Sequence, residues 1–229
     1  MISFDVHQTG ERTLRYAFLP KIDPEIHSQV IRLHTLALKC PDVLEAVPGY
    51  HTLTLYINHE RNISSVQSQI LQGWNKTLNH IDYESKLHLI PVCYNGEDLE
   101  QLAHAKNLTV QQVIEIHTSV EYTIYMIGFL PGFPYLGGLD ERLHLPRREV
   151  PRRSVPKGSV GIGGSQTGIY PIESPGGWHI IGQTPIDIFS ATSLDTPFLF
   201  KAGDRIQFTK ITQDEYQNHS GGGVIDEAN

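Results

Sequence analysis

The stretch from Gly128 to Thr184 constrains this chain more than any other. It covers a quarter of the length yet holds 12 of the 20 glycines and 7 of the 14 prolines. Its text runs GFLPGFPYLGGLD, then LPRREVPRRSVPKGSVGIGG, then SQTGIYPIESPGGWHIIGQT. Glycine permits positive φ and close approach of backbones, while proline fixes φ and removes a donor. Together they specify a stiff, irregular path. A flexible linker would use Gly and Ser without the interleaved Phe129, Phe133, Tyr135, Tyr170 and Trp178. The segment reads either as the tight turns of an all-β domain or as turns that also shape a pocket.

The 229 residues suffice for one large domain or two small ones, either with a real core. A net charge of −7 does not favour a nucleic-acid partner. The start, MISFDVHQTGERTLRY, has no basic, apolar leader pattern, and no stretch approaches a membrane span. Cys40 and Cys93 are far apart with no metal spacing, so a reduced, cytoplasmic protein is expected. The 12 histidines form no HxH, HxxxH or HExxH pattern. His27 and His34 lie two turns apart on a predicted helix, about 10 Å along the axis, too far to share one ion. No metal site is expected, and the histidines read as solvated surface groups.

The fold class is α+β. Residues 1–90 read as a βαββαβ, ferredoxin-like domain, a small sheet with two helices on one face. Its strands are Leu14–Phe18, Asp42–Val47, His51–Ile57 and Leu87–Ile90. Asp23 and Pro24 supply an N-cap and a first-turn proline for a helix carrying Ile26, Val30, Leu33 and Ala37 at helical spacing. Leu53, Leu55 and Ile57 alternate with Thr52, Thr54 and Tyr56. Val66, Ile70 and Trp74 mark a second helix. Nothing here looks catalytic, which suits a structural or docking role.

Pro91 marks the predicted boundary of a second domain over 91–212. Helices are predicted at Glu97–Lys106 and Val110–Thr118, the second opened by a Thr109/Gln112 capping box and a Leu108/Val113 staple. Short β runs follow at Tyr122–Ile127, Ser159–Ile162, Ile180–Ile181, Ile186–Phe189 and Arg205–Thr209, a pattern for a barrel or closed sheet. The polar tail over 213–229 reads as mobile.

No GxxxxGK[ST] phosphate loop is present. Gly161-Ile162-Gly163 fails the dinucleotide fingerprint at Gln166, and Gly163-Gly164-Ser165-Gln166-Thr167 misses the nucleophile elbow at its last position. A three-part constellation remains. Its first part is a basic run, Arg147, Arg148, Arg152, Arg153 and Lys157, held extended by Pro146, Pro151 and Pro156. Five cations so close need either solvent or an anion, and arginine's fork suits a carboxylate or phosphate. The second part is SQTGIYPIESPGGW. Here Gln166, Thr167, Tyr170 and Ser174 offer neutral donors and acceptors, and Glu173 offers a base or a cation's partner. The turn Ser174-Pro175-Gly176-Gly177 offers exposed amides for an anion nest. The third part is aromatic, with Phe129, Phe133, Tyr135 and Trp178 as core or pocket wall. His179 is expected to face outward.

The runs IGFLPGFPYLGGLD, PRRSVPKGSVGIGGSQTGIYP and ESPGGWHIIGQTP resemble the allophanate hydrolase subunit 1 family, which also goes under the name KipI and includes the B subunits of 5-oxoprolinases. That family in turn is similar to the carboxyltransferase part of urea carboxylase. The resemblance covers roughly residues 91–208, with Ser165 standing where the family usually has glycine. It implies a cyclophilin-like β-barrel in the second half. It further implies a B subunit that opens 5-oxo-L-proline to L-glutamate with subunits A and C, at the expense of ATP used by the assembled enzyme. On that view the candidate catalytic residues are Glu173, Gln166 and Tyr170. The candidate binding residues for a small anionic substrate are Arg152, Arg153, Lys157, Thr167, Ser174, Gly176, Gly177, Trp178, Phe129 and Phe133. An alternative within the same resemblance is a KipI-like inhibitor that binds a sporulation histidine kinase.

Overall fold

In the computed structural model, which describes residues 3–76, 83–193 and 196–219, Asp23 caps the first helix with its own carboxylate. It accepts the Glu25 amide at 2.9 Å and the Ile26 amide at 3.4 Å, with Pro24 in the first turn. The chain divides into two units, Met1–Ser85 and Lys86–Asn229.

The first unit is a four-stranded antiparallel sheet with two helices. Its elements run β1 (Asp5–Gly10), β2 (Thr13–Ala17), α1 (Pro24–Ala37), β3 (Val43–Pro48), β4 (Thr52–Ile57) and α2 (Ile63–Lys76), with strand order β1-β2-β4-β3. The alternation in β4 holds, because Leu53, Leu55 and Ile57 are buried and Tyr56 is exposed. That buried face forms one core with Val30 and Leu33 of α1 and with Val66, Ile70 and Trp74 of α2.

The ferredoxin-like βαββαβ layout is not what forms. Asp5–Gly10, which carries no clear strand pattern, folds back on β2 through a tight local hairpin and fills the sheet edge that a last strand would have taken. Leu87–Ile90 is a strand, but it belongs to the second unit. There β5 (Leu87–Cys93) runs parallel to β13 (Arg205–Ile211) through seven register pairs, Arg205↔Leu87 to Ile211↔Cys93. Pro91 therefore sits inside a barrel strand, and the division falls between Ser85 and Lys86.

The second unit continues with α3 (Leu99–Ala105), α4 (Val110–Thr118), β6 (Glu121–Ile127), β7 (Pro134–Gly137), β8 (Arg152–Val155), β9 (Ser159–Gly163), β10 (Gln166–Ile169), β11 (Ser174–Gly176) and β12 (His179–Gln183), then β13. Seven strands close a barrel in the order β10-β7-β6-β13-β5-β12-β9, and β8 pairs with β11 as a separate ribbon. Closure leaves those seven strands no free edge. The capping box of α4 is complete, with both Thr109–Gln112 bonds made. The Ile186–Phe189 run makes only an isolated bridge, Phe189↔Phe198.

One histidine is locked into the barrel core. His117 is fully buried and stacked on Phe208 at 4.6 Å. Thr167 Oγ1 gives its hydrogen to the Gly161 carbonyl at 3.0 Å, so at 3.0 Å from His117 Nε2 it must accept. His117 Nδ1 then accepts from Tyr94, whose hydroxyl lies 2.7 Å away. Burial pushes the His117 pKa down to about 3, so the ring is neutral. The expectation of solvated histidines thus fails for His27, His117 and His179, all buried. Among the described residues no group of His, Cys, Asp and Glu side chains is placed to hold a metal ion, and no helix is long and apolar enough to cross a membrane.

The tail is ordered further than its composition suggests. Gln213–His219 forms α5, begun by Thr212 bonds to Glu215. Gln213 Oε1 ties it to the end of β5, accepting from Asn95 at 3.0 Å and Cys93 at 3.3 Å. The rest of the predicted tail, 220–229, lies outside the described residues.

Candidate functional site

Phe133 is the hub of a second, smaller core beside the barrel. Buried itself, it stands edge-on to Tyr135, Tyr170 and Trp178 at centroid distances of 4.9, 5.2 and 5.4 Å. These rings wall a hollow of about 320 Å³, completed by Phe129, Arg147, Arg148, Pro151, Pro175, Gly176 and Gly177. The scale suits a small molecule.

Two glycines show why the segment needs so many. A Cβ on Gly163 would come within 2.6 Å of the Trp178 indole nitrogen. One on Gly176 would run into the Tyr170 hydroxyl. The rings can sit where they do only because those backbones carry no side chain. Phe129 shows the opposite economy. It is 63% exposed, adopts φ +68°, and meets Phe133 edge-on at 5.8 Å. A bulky residue with positive φ stores strain at the rim of the hollow.

Another part of the rim is fixed by a buried carboxylate. Asp98 Oδ1 accepts from Arg152 Nη2 at 2.7 Å and from Arg148 Nη1 at 3.0 Å, while Oδ2 accepts the Ile180 amide at 2.6 Å. Glu97 adds an ion pair to Arg152 Nε at 2.6 Å. Burial works against the Arg152 charge, but Asp98 and Glu97 outweigh it and leave the guanidinium more firmly protonated than usual. The Arg148 amide also bonds the Gly177 carbonyl at 2.8 Å. His179 completes the clamp. Its Nε2 donates to the Pro146 carbonyl at 2.9 Å, so the side chain points inward rather than out to solvent. The segment 146–152 is thereby stitched to β12 and to the start of α3.

The structure sorts the predicted site residues into two groups. Phe129, Phe133, Tyr170, Gly176, Gly177 and Trp178 line the hollow, joined by Arg147, Arg148 and Tyr135. The others lie elsewhere. Arg152 is committed to Asp98 and Glu97. Arg153 is exposed, and Lys157 pairs with Asp187 at 2.6 Å. Thr167 faces the barrel interior on His117. Gln166 stands half-buried at the head of β10, and Ser165 is exposed in the turn before it, away from the hollow. Glu173 is exposed and accepts from Ser154 at 2.7 Å. Ser174 is buried in β11, its hydroxyl bonded to the Pro175 carbonyl at 3.2 Å. The segment expected to be an open anion-binding turn is a bulged strand paired with β8.

Tyr170 is buried, and burial raises its pKa. The Trp178 amide and the charges of Arg147 and Arg152 pull the other way without prevailing. The phenol is therefore protonated at neutral pH, a donor rather than a base.

Asp98 is the residue that sequence reasoning missed. An aspartate just before a helix reads as an N-cap, and it occupies that position in α3, yet its side chain makes no capping bond. Its real partners lie 50, 54 and 82 positions away.

The model of the family described as carboxyltransferase domain, subdomain C and D, matches residues 4–200. Three curated proteins, each named as the B subunit of 5-oxoprolinase, are similar over most of the chain. The one from Escherichia coli O157:H7 is 40% identical, covering 87% of this chain and 92% of its own length. That of Bacillus subtilis (strain 168) is 37% identical, covering 94% and 96%. That of Haemophilus influenzae (strain ATCC 51907 / DSM 11121 / KW20 / Rd) is 44% identical, covering 73% and 79%. Among solved structures, TTHA0988 superposes with a TM-score of 0.76 at 33% identity, over 87% of this chain but only 40% of that longer one. The K. lactis urea amidolyase shares the fold, with a TM-score of 0.72 at 18% identity over 95% of this chain and 15% of its own.

Proposed function

The chain belongs to the family of carboxyltransferase subdomains C and D, and from that premise we propose that it works as the B subunit of a 5-oxoprolinase. The observation that carries this is the likeness, at 37 to 44% identity over most of the chain, to three proteins bearing that name. The kinase-inhibitor alternative is not favoured by the same likeness.

The reaction proposed for the assembled enzyme opens the lactam of 5-oxo-L-proline to L-glutamate. A five-membered lactam is a poor electrophile, and its hydrolysis needs the driving force of ATP. The hollow contributes what the described residues can supply. Phe133, Tyr135, Tyr170 and Trp178 bury a small ring, the neutral phenol of Tyr170 donates a hydrogen bond, and arginine at the rim meets a carboxylate. Glu173, Gln166, Arg153, Lys157 and Thr167 do not line that hollow, so in this reading substrate binding rests on the lining residues. The hollow is poorly matched to ATP, with one uncompensated cation for a triphosphate and no phosphate loop in the sequence. ATP is used by the assembled enzyme, and no step in this chain is routed through it. A cytoplasmic site of action follows from the chemistry, since ATP and free 5-oxoproline meet there.

The test is reconstitution. Each subunit alone, and all three together, would be assayed for ATP-dependent glutamate formation from 5-oxoproline. Turnover is expected only from the full set. Turnover by this chain alone, or none from the complete mixture, would refute the proposal.

A further inference from the structure

We propose that Arg147 is the anion anchor of the hollow, and that the hollow selects a monocarboxylate held against Trp178 over more highly charged anions. The name of the natural guest rests on the oxoprolinase reading. The chemistry of recognition rests on geometry.

The basic run holds five cations, and the structure removes four from contention. Arg148 and Arg152 share Asp98, and Arg152 also holds Glu97. Lys157 holds Asp187, and Arg153 stands outside the lining. Arg147 lines the hollow with its guanidinium 5.8 Å from the Trp178 ring centroid. Among the described residues no carboxylate is paired with it. Seating over an indole face limits the wandering of a guanidinium while leaving its N–H fork free. Burial raises both Tyr135 and Tyr170, and the Arg147 charge pulls each back, so its field reaches both phenols.

Charge matching sets the class of guest. Asp98 and Glu97 are matched by Arg148 and Arg152, which leaves Arg147 as one positive charge at the rim. Glu149 is exposed and does not line the hollow. A single negative charge balances the site. A second, placed against walls built mostly of aromatic rings, would go uncompensated. Volume sets no tighter limit, since about 320 Å³ seats a small ring with its carboxylate with room to spare.

The full-length chain, alone and in the assembled complex, would be titrated calorimetrically with four probes. These are 5-oxo-L-proline, 2-pyrrolidinone (the same ring without its carboxylate), 2-furoate (a flat monocarboxylate without a lactam) and inorganic phosphate. Both carboxylates should bind, with pyrrolidinone and phosphate weaker by about tenfold or more. Arg147→Gln should lose about tenfold in carboxylate affinity and leave pyrrolidinone unchanged. Arg147→Lys, which keeps the charge and loses the fork, should fall between, and Arg153→Gln should match the wild type. The anchor is overturned if Arg147→Gln keeps its carboxylate affinity, if phosphate binds as tightly as the carboxylates, or if neither form of the protein binds a carboxylate at millimolar concentration. Arg147-dependent binding of furoate without binding of 5-oxoproline would uphold the anchor and sink the oxoprolinase reading. Unchanged KM for 5-oxoproline in a complex carrying Arg147→Gln would do the reverse.

Discussion

Arg152 reaches Asp98 across 54 positions of sequence, Nη2 to Oδ1 at 2.7 Å, in a pair whose side chains are 15% and 3% exposed. The same carboxylate holds Arg148 and the Ile180 amide. Asp98→Ala would take the carboxylate from Arg148 and from the Ile180 amide at once and leave Arg152 with its ion pair to Glu97. Removing one partner of a buried, hydrogen-bonded pair costs about 3–5 kcal/mol, and urea unfolding should show a loss of that size. Asp98→Asn keeps an acceptor and should lose less. A loss below about 1 kcal/mol for Asp98→Ala, the range of surface ion pairs, would show that the clamp does not hold the rim.

How much of this is legible depends on how far each signal has to reach. Asp23 with Pro24, and Thr109 with Gln112, are readable because a cap is settled within three residues. The β4 alternation is readable because a half-buried strand repeats every second residue. Leu87–Cys93 is recognisable as a strand but not assignable to its sheet, since its partner Arg205–Ile211 lies over a hundred positions downstream. Strands β10 and β11 are hidden because Gly168 and Pro175 break their alternation and look like turn residues. The aromatic wall of the hollow is foreseeable from the Gly/Pro segment. The free cation is not. Telling Arg147 from Arg152 requires Glu97 and Asp98, and nothing in the spacing of a basic run reveals acids fifty positions away.

Phe129 makes a test of backbone strain that needs no ligand. At an ordinary exposed position, Ala is more stable than Gly by about 0.5–1 kcal/mol. At φ +68° the order should invert. Phe129→Ala keeps a Cβ in the left-handed region and loses the edge contact with Phe133, while Phe129→Gly loses the contact but sheds strain of about 1–2 kcal/mol. Urea midpoints should place Gly above Ala by about 1 kcal/mol. Ala above Gly would mean that this conformation stores nothing.

Gly163 bears on the shape of the hollow. An added methyl would fall 2.6–2.7 Å from three atoms of the Trp178 indole, which is itself packed edge-on with Phe133 at 5.4 Å. The ring must move. Gly163→Ala should cost about 1–3 kcal/mol, as overpacking does, and should shift the tryptophan emission and weaken any guest of the hollow together. Unchanged emission and stability would show that the indole is not seated on that glycine.

His117 makes the fold sensitive to acid. Its pKa is about 3 in the folded protein because burial disfavours the charged ring, against about 6.5 in an unfolded chain. The unfolded state therefore binds the extra proton between those values. The contribution is fully present above pH 6.5 and is lost as pH falls, by about 1.4 kcal/mol per unit down to about pH 3. Carboxylates and the partly buried His34 add acid effects of their own, so the informative quantity is a difference. His117→Gln can still accept from Tyr94 and donate to Thr167, but it cannot titrate. Unfolding free energies measured in urea from pH 7 to pH 4 should fall more steeply in the wild type than in this variant, by about that slope. Nitrogen NMR at pH 5 should find the His117 ring neutral with its proton on Nε2, as the Thr167–Gly161 bond requires. A protonated ring at that pH, or parallel pH profiles for the two proteins, would break the link between the barrel's buried hydrogen-bond chain and its acid stability.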